Sequence, residues 1–261
     1  MIIAANLVLL FKAQKGNETE NKYEDVLHKN GFKTEQLKSI DFNFINLDKL
    51  QEKLMNPDAY QGIIFSSPRC VEGVAKALKR SKLNTEWKNK HNYVVGEMTY
   101  KCAFEDLGLD CMGKDSGNGE KLSAIIIKDV SMQDSRPFLM PCGNLKTDTI
   151  ETRLNEFKIP TEAVTVYETI TNPNFAREFS NVTDDFEKIP EFMVFFSPSG
   201  VKAFSNCLAG KFKHYLNSIK FISIGPTTSK AILDAGLPIY GVAKKPNPEE
   251  LLKAIQQNEM Q

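Results

Sequence analysis

The feature that most limits how this chain can fold is an internal repeat. GIIFSSPRCVEGVAKAL (62–78) matches FMVFFSPSGVKAFSNCL (192–208), and YVVGEMTYKCAFEDLGL (93–109) matches FISIGPTTSKAILDAGL (221–237). More weakly, the first strand, helix and extended segment match Phe138 through Ile170. The copies keep their order and similar spacing. In each, a short apolar run gives way to a polar turn and then to apolar residues at helical spacing. Strands alternating with helices through right-handed crossovers form parallel sheets covered on both faces. The expected fold class is therefore α/β, with two similar parallel-sheet domains and a cleft between them. Ligands of such sheets sit beyond the carboxyl ends of the strands.

Phe221–Leu237 shows the repeated device most clearly. Phe-Ile-Ser-Ile is a buried-strand run, Gly225 and Pro226 stop it, and Thr227 and Thr228 supply hydroxyls for a helix N-cap. Gly236 then ends the helix. The backbone N–H groups at such a helix start, at the positive end of its dipole, make a ready anion site. Equivalent strand-end turns are Ser66-Ser67-Pro68-Arg69, Gly96 to Thr99, Cys142-Gly143-Asn144 and Ser197-Pro198-Ser199-Gly200. In two of them serine caps and proline opens the helix. Any one alone is an ordinary helix cap. Five at equivalent positions point to a shared site for a small polyanion.

Around these turns the spacing predicts strands at Leu7–Phe11, Phe138–Met140, Ala163–Ile170 and Phe192–Phe196. It predicts helices lined by Tyr23, Val26 and Leu27, over Leu47 to Met55, over Leu122 to Ile127, by Ile150, Leu154 and Phe157, by Val201, Phe204 and Leu208, and by Leu251, Leu252 and Ile255. A loop through Gly16 and Asn17 and a polar stretch after Asn172-Pro173 complete the expectation.

Local geometry has to hold the ligand, because Lys plus Arg and Asp plus Glu each total 33. That balance exerts no pull toward nucleic acid or a membrane surface. MIIAANLVLLF has no basic residue before its apolar run and is too short to span a bilayer, so it reads as a first buried strand. Cys70, Cys102, Cys111, Cys142 and Cys207 are odd in number and lack CxxC spacing, as reduced cytoplasmic thiols do. There is no GxGxxG, HExxH or nucleophile elbow, and KDSGNGEK (114–121) lacks the Gly-Lys-Ser/Thr ending of a phosphate loop. His28, His91 and His214 have no partners at ligand spacing. No motif supports a metal site, a cysteine nucleophile or a hydride-transfer cofactor.

FSSPRCVE, VVGEMT, PCGNLK, TVYET, FFSPSG and IGPTT, in this order, resemble uroporphyrinogen-III synthase, nearest its animal-type members, over nearly the whole chain. The resemblance implies two α/β domains joined by a two-stranded connector. Residues 1–33 with 172–261 would form one, 45–162 the other, and 34–44 and 163–171 the connector. It implies a cofactor-independent, metal-free lyase acting on hydroxymethylbilane, a linear tetrapyrrole bearing eight carboxylates. Loss of hydroxide from the terminal hydroxymethyl group leaves an azafulvene. The substituted α-carbon of ring D attacks it to give a spiro pyrrolenine, and fragmentation and reclosure deliver the macrocycle with ring D inverted. Closure without inversion competes, so the enzyme's main task is to bring the spiro carbon into range.

By motif match, Ser66, Ser67, Thr99, Ser197, Ser199, Thr227 and Thr228, with Gly143, Asn144 and Gly200, would meet acetate and propionate groups through hydroxyls and backbone N–H. Arg69 and Lys220 would pair with carboxylates, although Arg69 also reads as a solvated helix side chain. Lys12 stands where bacterial members often have arginine. Tyr167 matches the family tyrosine thought to assist departure of hydroxide; its other reading is an aromatic that packs the connector. The expected protein is a cytoplasmic monomer without nucleic-acid or membrane partners. The rival reading is a non-catalytic two-domain binding protein for a polycarboxylate, which would use the same turns.

Overall fold

Apolar runs with no polar alternate become strands buried on both faces, and the amphipathic segments between them become the covering helices. The structure, a computed structural model, describes residues 2–13, 18–79, 81–130, 134–207 and 211–256. The expected loop through Gly16 and Asn17, the helix position Leu208 and the side chain of His214 lie outside what is described.

In chain order the elements are β1 (Ile2–Lys12), α1 (Glu18–Lys29), β2 (Lys33–Lys38), β3 (Ile40–Phe44), α2 (Leu47–Leu54), β4 (Gly62–Phe65), α3 (Pro68–Leu78), β5 (Tyr93–Val94), α4 (Glu97–Leu107) and α5 (Gly119–Asp129). Then follow β6 (Phe138–Gly143), α6 (Thr149–Glu156), β7 (Thr161–Thr171), α7 (Phe175–Val182), β8 (Lys188–Phe195), α8 (Pro198–Cys207), β9 (Lys220–Ile224), α9 (Pro226–Asp234), β10 (Ile239–Ala243) and α10 (Pro248–Gln256). The chain divides into two units, residues 1–41 with 170–261 and residues 42–169.

The first unit holds a sheet of order β10-β9-β8-β1-β2 with parallel pairing throughout. Strand alternation splits its core in two. Leu9 and Phe11 pack with Phe175, Phe179, Phe204 and Ile232 of α7, α8 and α9. Val8 and Leu10 pack with Tyr23, Leu27, Leu251 and Ile255 of α1 and α10. Phe11 stacks on Phe195 at 4.4 Å between centroids and meets Phe204 edge-on at 5.7 Å. Such pairs contribute about 0.5–1.5 kcal/mol each beyond the area they bury.

The second unit holds a sheet of order β3-β7-β6-β4-β5, in which β7, β6, β4 and β5 pair in parallel. Ile63 and Phe65 face α2, α3 and α4, while Ile64 packs with Leu122, Ile126, Ile150 and Leu154 of α5 and α6. Both sheets reverse direction of winding at a central pair, β1/β8 in the first and β4/β6 in the second. At such a switch point the flanking turns diverge and leave a crevice beyond the strand ends.

Several expectations need correction. The polar stretch after Asn172-Pro173 contains α7, whose Phe175 and Phe179 lie four apart and are buried. β10 was not anticipated; it is a short edge strand with Gly241 in its middle. β6 runs on through Pro141, Cys142 and Gly143, so the turn begins at Asn144. Phe157 follows α6 and is 37% exposed, off the buried face. Thr227 and Thr228 do not cap α9: Gly225 is the N-cap, Pro226 opens the helix, and no side chain makes a cap hydrogen bond. The second repeat also slips by one residue. End-to-end matching sets Thr99 against Thr227, but the caps set Gly96 against Gly225 and therefore Thr99 against Thr228.

Candidate functional site

The site in the second unit starts from an irregularity in β7. Thr165 pairs with Cys142, but Tyr167, not Val166, pairs with Gly143. Val166 is thus an extra residue, a β-bulge that breaks the alternation of side chains. Two successive side chains then lie toward α3. Val166 fills the space over Gly73, where a Cβ would come within 2.8 Å of its Cγ2. Tyr167 reaches past it until its hydroxyl is 3.5 Å from that of Ser67, a long contact for a hydrogen bond. Regular alternation would have turned the phenol away from α3.

Gly143 is glycine because the Tyr167 ring lies on it. A Cβ there would fall 2.5 Å from the ring Cζ and 2.7 Å from the hydroxyl oxygen. Phe42 meets the ring edge-on at 5.9 Å, and Phe44 leans on it at 6.3 Å. Burial pushes the phenol above its ordinary pKa; the Cys70 and Cys142 thiols push the same way, while Ser67 and Arg69 oppose it. The half-buried group is therefore protonated at neutral pH, a donor rather than a base.

Around the phenol lies a hollow of about 330 Å³ beyond the ends of β4 and β6, at the switch point. Ser66, Ser67, Gly143, Tyr167 and Thr169 line it, with Lys146 and Thr147 from the β6–α6 loop, Thr149 from the start of α6 and Gly119 from α5. Val95, Met140, Ile150 and Leu145 supply its apolar wall. Ser67 is the N-cap of α3 by position, but its hydroxyl does not cap. It turns instead to Tyr167 and to the Cys70 thiol at 3.3 Å, which Ser66 also meets at 3.5 Å. α5 also begins at the hollow, where the Asn118 side chain accepts from the Lys121 N–H at 2.9 Å. Burial would push Lys146 down, but its ion pairs with Asp148 and Glu151 prevail, and the ammonium stays charged on the rim.

The thiols of Cys102, Cys111, Cys142 and Cys207 are not poised as nucleophiles. Burial pushes Cys142, Cys102 and Cys207 up and takes Cys111 to about 12. No cluster of three or more His, Cys, Asp or Glu side chains suited to a metal occurs among the described residues.

The remaining expected residues divide. Asn144 is next to the hollow but clamps β7: its N–H donates to the Tyr167 carbonyl and its side chain accepts from the Thr169 N–H, both at 3.0 Å. Arg69 is not a loosely solvated side chain; its guanidinium carbon lies 3.4 Å from the centre of the Phe42 ring. Thr99 is buried in the first turn of α4. In the first unit, Ser197 and Ser199 hydrogen-bond each other at 2.8 Å at the start of α8. Gly200 is buried against Phe11 and Phe195. Thr227 is exposed and Thr228 buried at the start of α9. Lys12, ending β1 at the switch point, is only 3% exposed, and its ammonium lies 5.2 Å and 5.3 Å from the Tyr23 and Phe196 rings. Lys220 does not join the strand-end turns. It opens β9 at the opposite end of the sheet and pairs with Glu191 at 2.8 Å.

Sequence reasoning missed Lys146, Thr147, Thr149, Thr169 and Gly119. The signal for Gly119 was present, since Asn118 before a helical apolar pattern is an N-cap. The β6–α6 loop carried no comparable mark.

Comparison with known proteins bears on this geometry. Residues 21–253 match the family described as uroporphyrinogen-III synthase HemD. The chain is 30% identical over 206 residues to the uroporphyrinogen-III synthase of Saccharomyces cerevisiae, covering 74% of each chain. It is 26% identical over 241 residues to that of Schizosaccharomyces pombe, covering 89% of this chain and 90% of the other. Among solved structures, the uroporphyrinogen-III synthetase of Helicobacter pylori superposes with a TM-score of 0.57 at 20% identity, over 96% of this chain and 98% of that one, a likeness of fold.

Proposed function

Because this chain belongs to the uroporphyrinogen-III synthase family, we propose a division of labour among its residues in the family's reaction. The enzyme is a cyclising lyase of tetrapyrrole synthesis, and its substrate is hydroxymethylbilane. Tyr167 donates its proton to the terminal hydroxyl as the C–O bond breaks, so that water leaves and the azafulvene forms in its N-protonated state, its charge balanced by the phenolate. The ring D carbon that closes the macrocycle last must shed a proton to regain aromaticity. Returning that proton to the phenolate closes the cycle and leaves net loss of one water. The observation that supports this most directly is the protonated phenol held between Gly143 and Ser67 in a hollow at a switch point.

The hollow is at the small end of ligand sites, about 300–1,000 Å³, and so takes one ring of the substrate with its acid side chains. Ser66, Ser67, Lys146 and the helix starts of α3 and α5 receive those carboxylates. Ser197, Ser199, Thr228 and Lys12 in the first unit receive others. Orienting a reactive substrate can supply about 7–11 kcal/mol in favourable cases, which leaves the phenol a supporting part.

We also take the segments 34–44 and 163–171 as the connector between the units, and the enzyme as a cytoplasmic monomer without nucleic-acid or membrane partners. The equal totals of basic and acidic residues support the last point. Among the described residues no helix is long and apolar enough to cross a membrane.

The test uses freshly prepared hydroxymethylbilane and separation of the isomers formed. Tyr167→Phe is expected to lower turnover about a hundredfold, the low end for general acid catalysis, while isomer III remains the enzymatic product. Unchanged turnover would remove Tyr167 from the chemistry. Tight binding with only isomer I formed would favour the non-catalytic binding protein.

A further inference from the structure

We propose that Phe42 is a positioning residue of this reaction, its one ring fixing both the Tyr167 phenol and the Arg69 guanidinium. The inference rests on the readings of Tyr167 as proton donor and of Arg69 as the partner of a substrate carboxylate. Phe42 lies in β3, the edge strand beside β7, and is half-buried. It meets Tyr167 edge-on, with planes at 76°. It also carries the Arg69 guanidinium carbon at 3.4 Å, the separation of stacked planes. An arginine side chain samples many rotamers when free, and stacking on an aromatic face selects among them. Tyr167 rests on the bare backbone of Gly143 on one side, so it needs a wall on another to keep its hydroxyl near Ser67. Phe44, two residues on, leans on the same ring and holds the Lys76 ammonium at 4.9 Å. It is a further support, while Phe42 touches both proposed functional groups.

This arrangement gives Phe42 two separable effects. Through Tyr167 it sets the rate of C–O cleavage. Through Arg69 it sets the hold on a substrate carboxylate. A residue that merely fills space would change stability and leave the two kinetic constants to move together or not at all.

The experiment measures kcat, KM, isomer ratio and Tm for Phe42→Leu and Phe42→Tyr, each in the wild-type and Tyr167→Phe backgrounds. Phe42→Leu is expected to lower kcat roughly tenfold and to raise KM, and Phe42→Tyr to restore both. In the Tyr167→Phe background, Phe42→Leu is expected to raise KM with no further loss of kcat, because the route through the phenol is already gone. An equal loss of kcat in both backgrounds, or unchanged constants at native Tm, overturns the proposal. Phe42→Met, about equal to leucine in volume but unbranched and adaptable in packing, serves where Phe42→Leu lowers the Tm.

A second readout separates this inference from the reading beneath it. In protein carrying 13C-labelled tyrosine, the Tyr167 phenol is titrated in the presence and absence of the Phe42 ring. The groups facing it are Ser67, Arg69, Cys70 and Cys142. Burial is the largest influence on it, so Phe42→Leu is expected to bring its midpoint down toward the ordinary 10.0. A lowered midpoint with full turnover in Tyr167→Phe would keep Phe42 as the residue that holds the ring and discard the proton donor. An unmoved midpoint overturns the positioning role itself.

Discussion

The starts of α4 and α9 are nearly superposable in backbone, whereas the ends of β6 and β1 have nothing in common but their place in the sheet. Gly96 has φ 79° and ψ 166°, Gly225 has φ 77° and ψ 168°, and each carbonyl accepts from the residue four on at 3.2 Å. The third helical residue is a buried threonine in both. At the strand ends, by contrast, Gly143 lies bare beneath the Tyr167 ring, while Lys12 carries a sheltered ammonium against Tyr23 and Phe196. The repeat is kept where a glycine cap turns each strand into its helix. It has diverged at the strand ends, where each half carries a different side chain. On the reading proposed above, one half provides an acid with a phenol, and the other provides a fixed cation.

The largest test of that contrast is Gly143→Ala. The added methyl must displace the Tyr167 ring, so turnover is expected to fall about a hundredfold, as far as for Tyr167→Phe, with a stability loss of about 1–3 kcal/mol from overpacking. Steady-state kinetics and thermal unfolding read the two effects. Full activity would mean that the position of the ring does not matter.

The likeness of the two turns is tested by Gly96→Ala and Gly225→Ala. Both glycines occupy a region of backbone space that a side chain makes strained, so each change is expected to cost about 1–3 kcal/mol. Denaturant unfolding should give similar losses for the two. If one substitution is tolerated, the turns are not equivalent.

The smallest effect is expected in the strands leading to those turns. When the caps are aligned, Val94 of β5 corresponds to Ser223 of β9. The Ser223 hydroxyl is fully buried and has no hydrogen-bond partner among the described residues. Ser223→Ala is expected to raise stability by about 1 kcal/mol, because an unsatisfied buried hydroxyl is removed. A loss of stability on that change would mean the hydroxyl has a function in the first unit that Val94 lacks in the second.

Most of the scaffold was legible in the sequence because burial on both faces writes itself as unbroken apolar runs such as Ile63–Phe65 and Phe192–Phe196. β10 escaped because an edge strand needs few apolar residues, and Gly241 interrupts those it has. α7 escaped because Phe175 and Phe179 are its only fully buried anchors within a polar surround. The strand-end turns were legible as helix starts, but the direction of a hydroxyl was not. Ser67 leaves its helix start uncapped because the Cys70 thiol and Tyr167 offer its hydroxyl other partners, and Tyr167 is a hundred residues away. The burial of Lys12 likewise depends on Phe196, which only the pairing of β1 with β8 brings close. The placement of Lys220 was lost because motif order says nothing about which end of a strand a residue occupies.

The extra residue in β7 makes the aim of the phenol a matter of counting. Replacing Val166 or its neighbours alters how well the ring is held, yet leaves the parity of the strand untouched. An insertion or deletion between Thr165 and Tyr167 changes that parity in a single step. The direction of the acid is therefore guarded against gradual drift and exposed to frame changes, so among relatives the spacing of this segment should vary far less than its residues do.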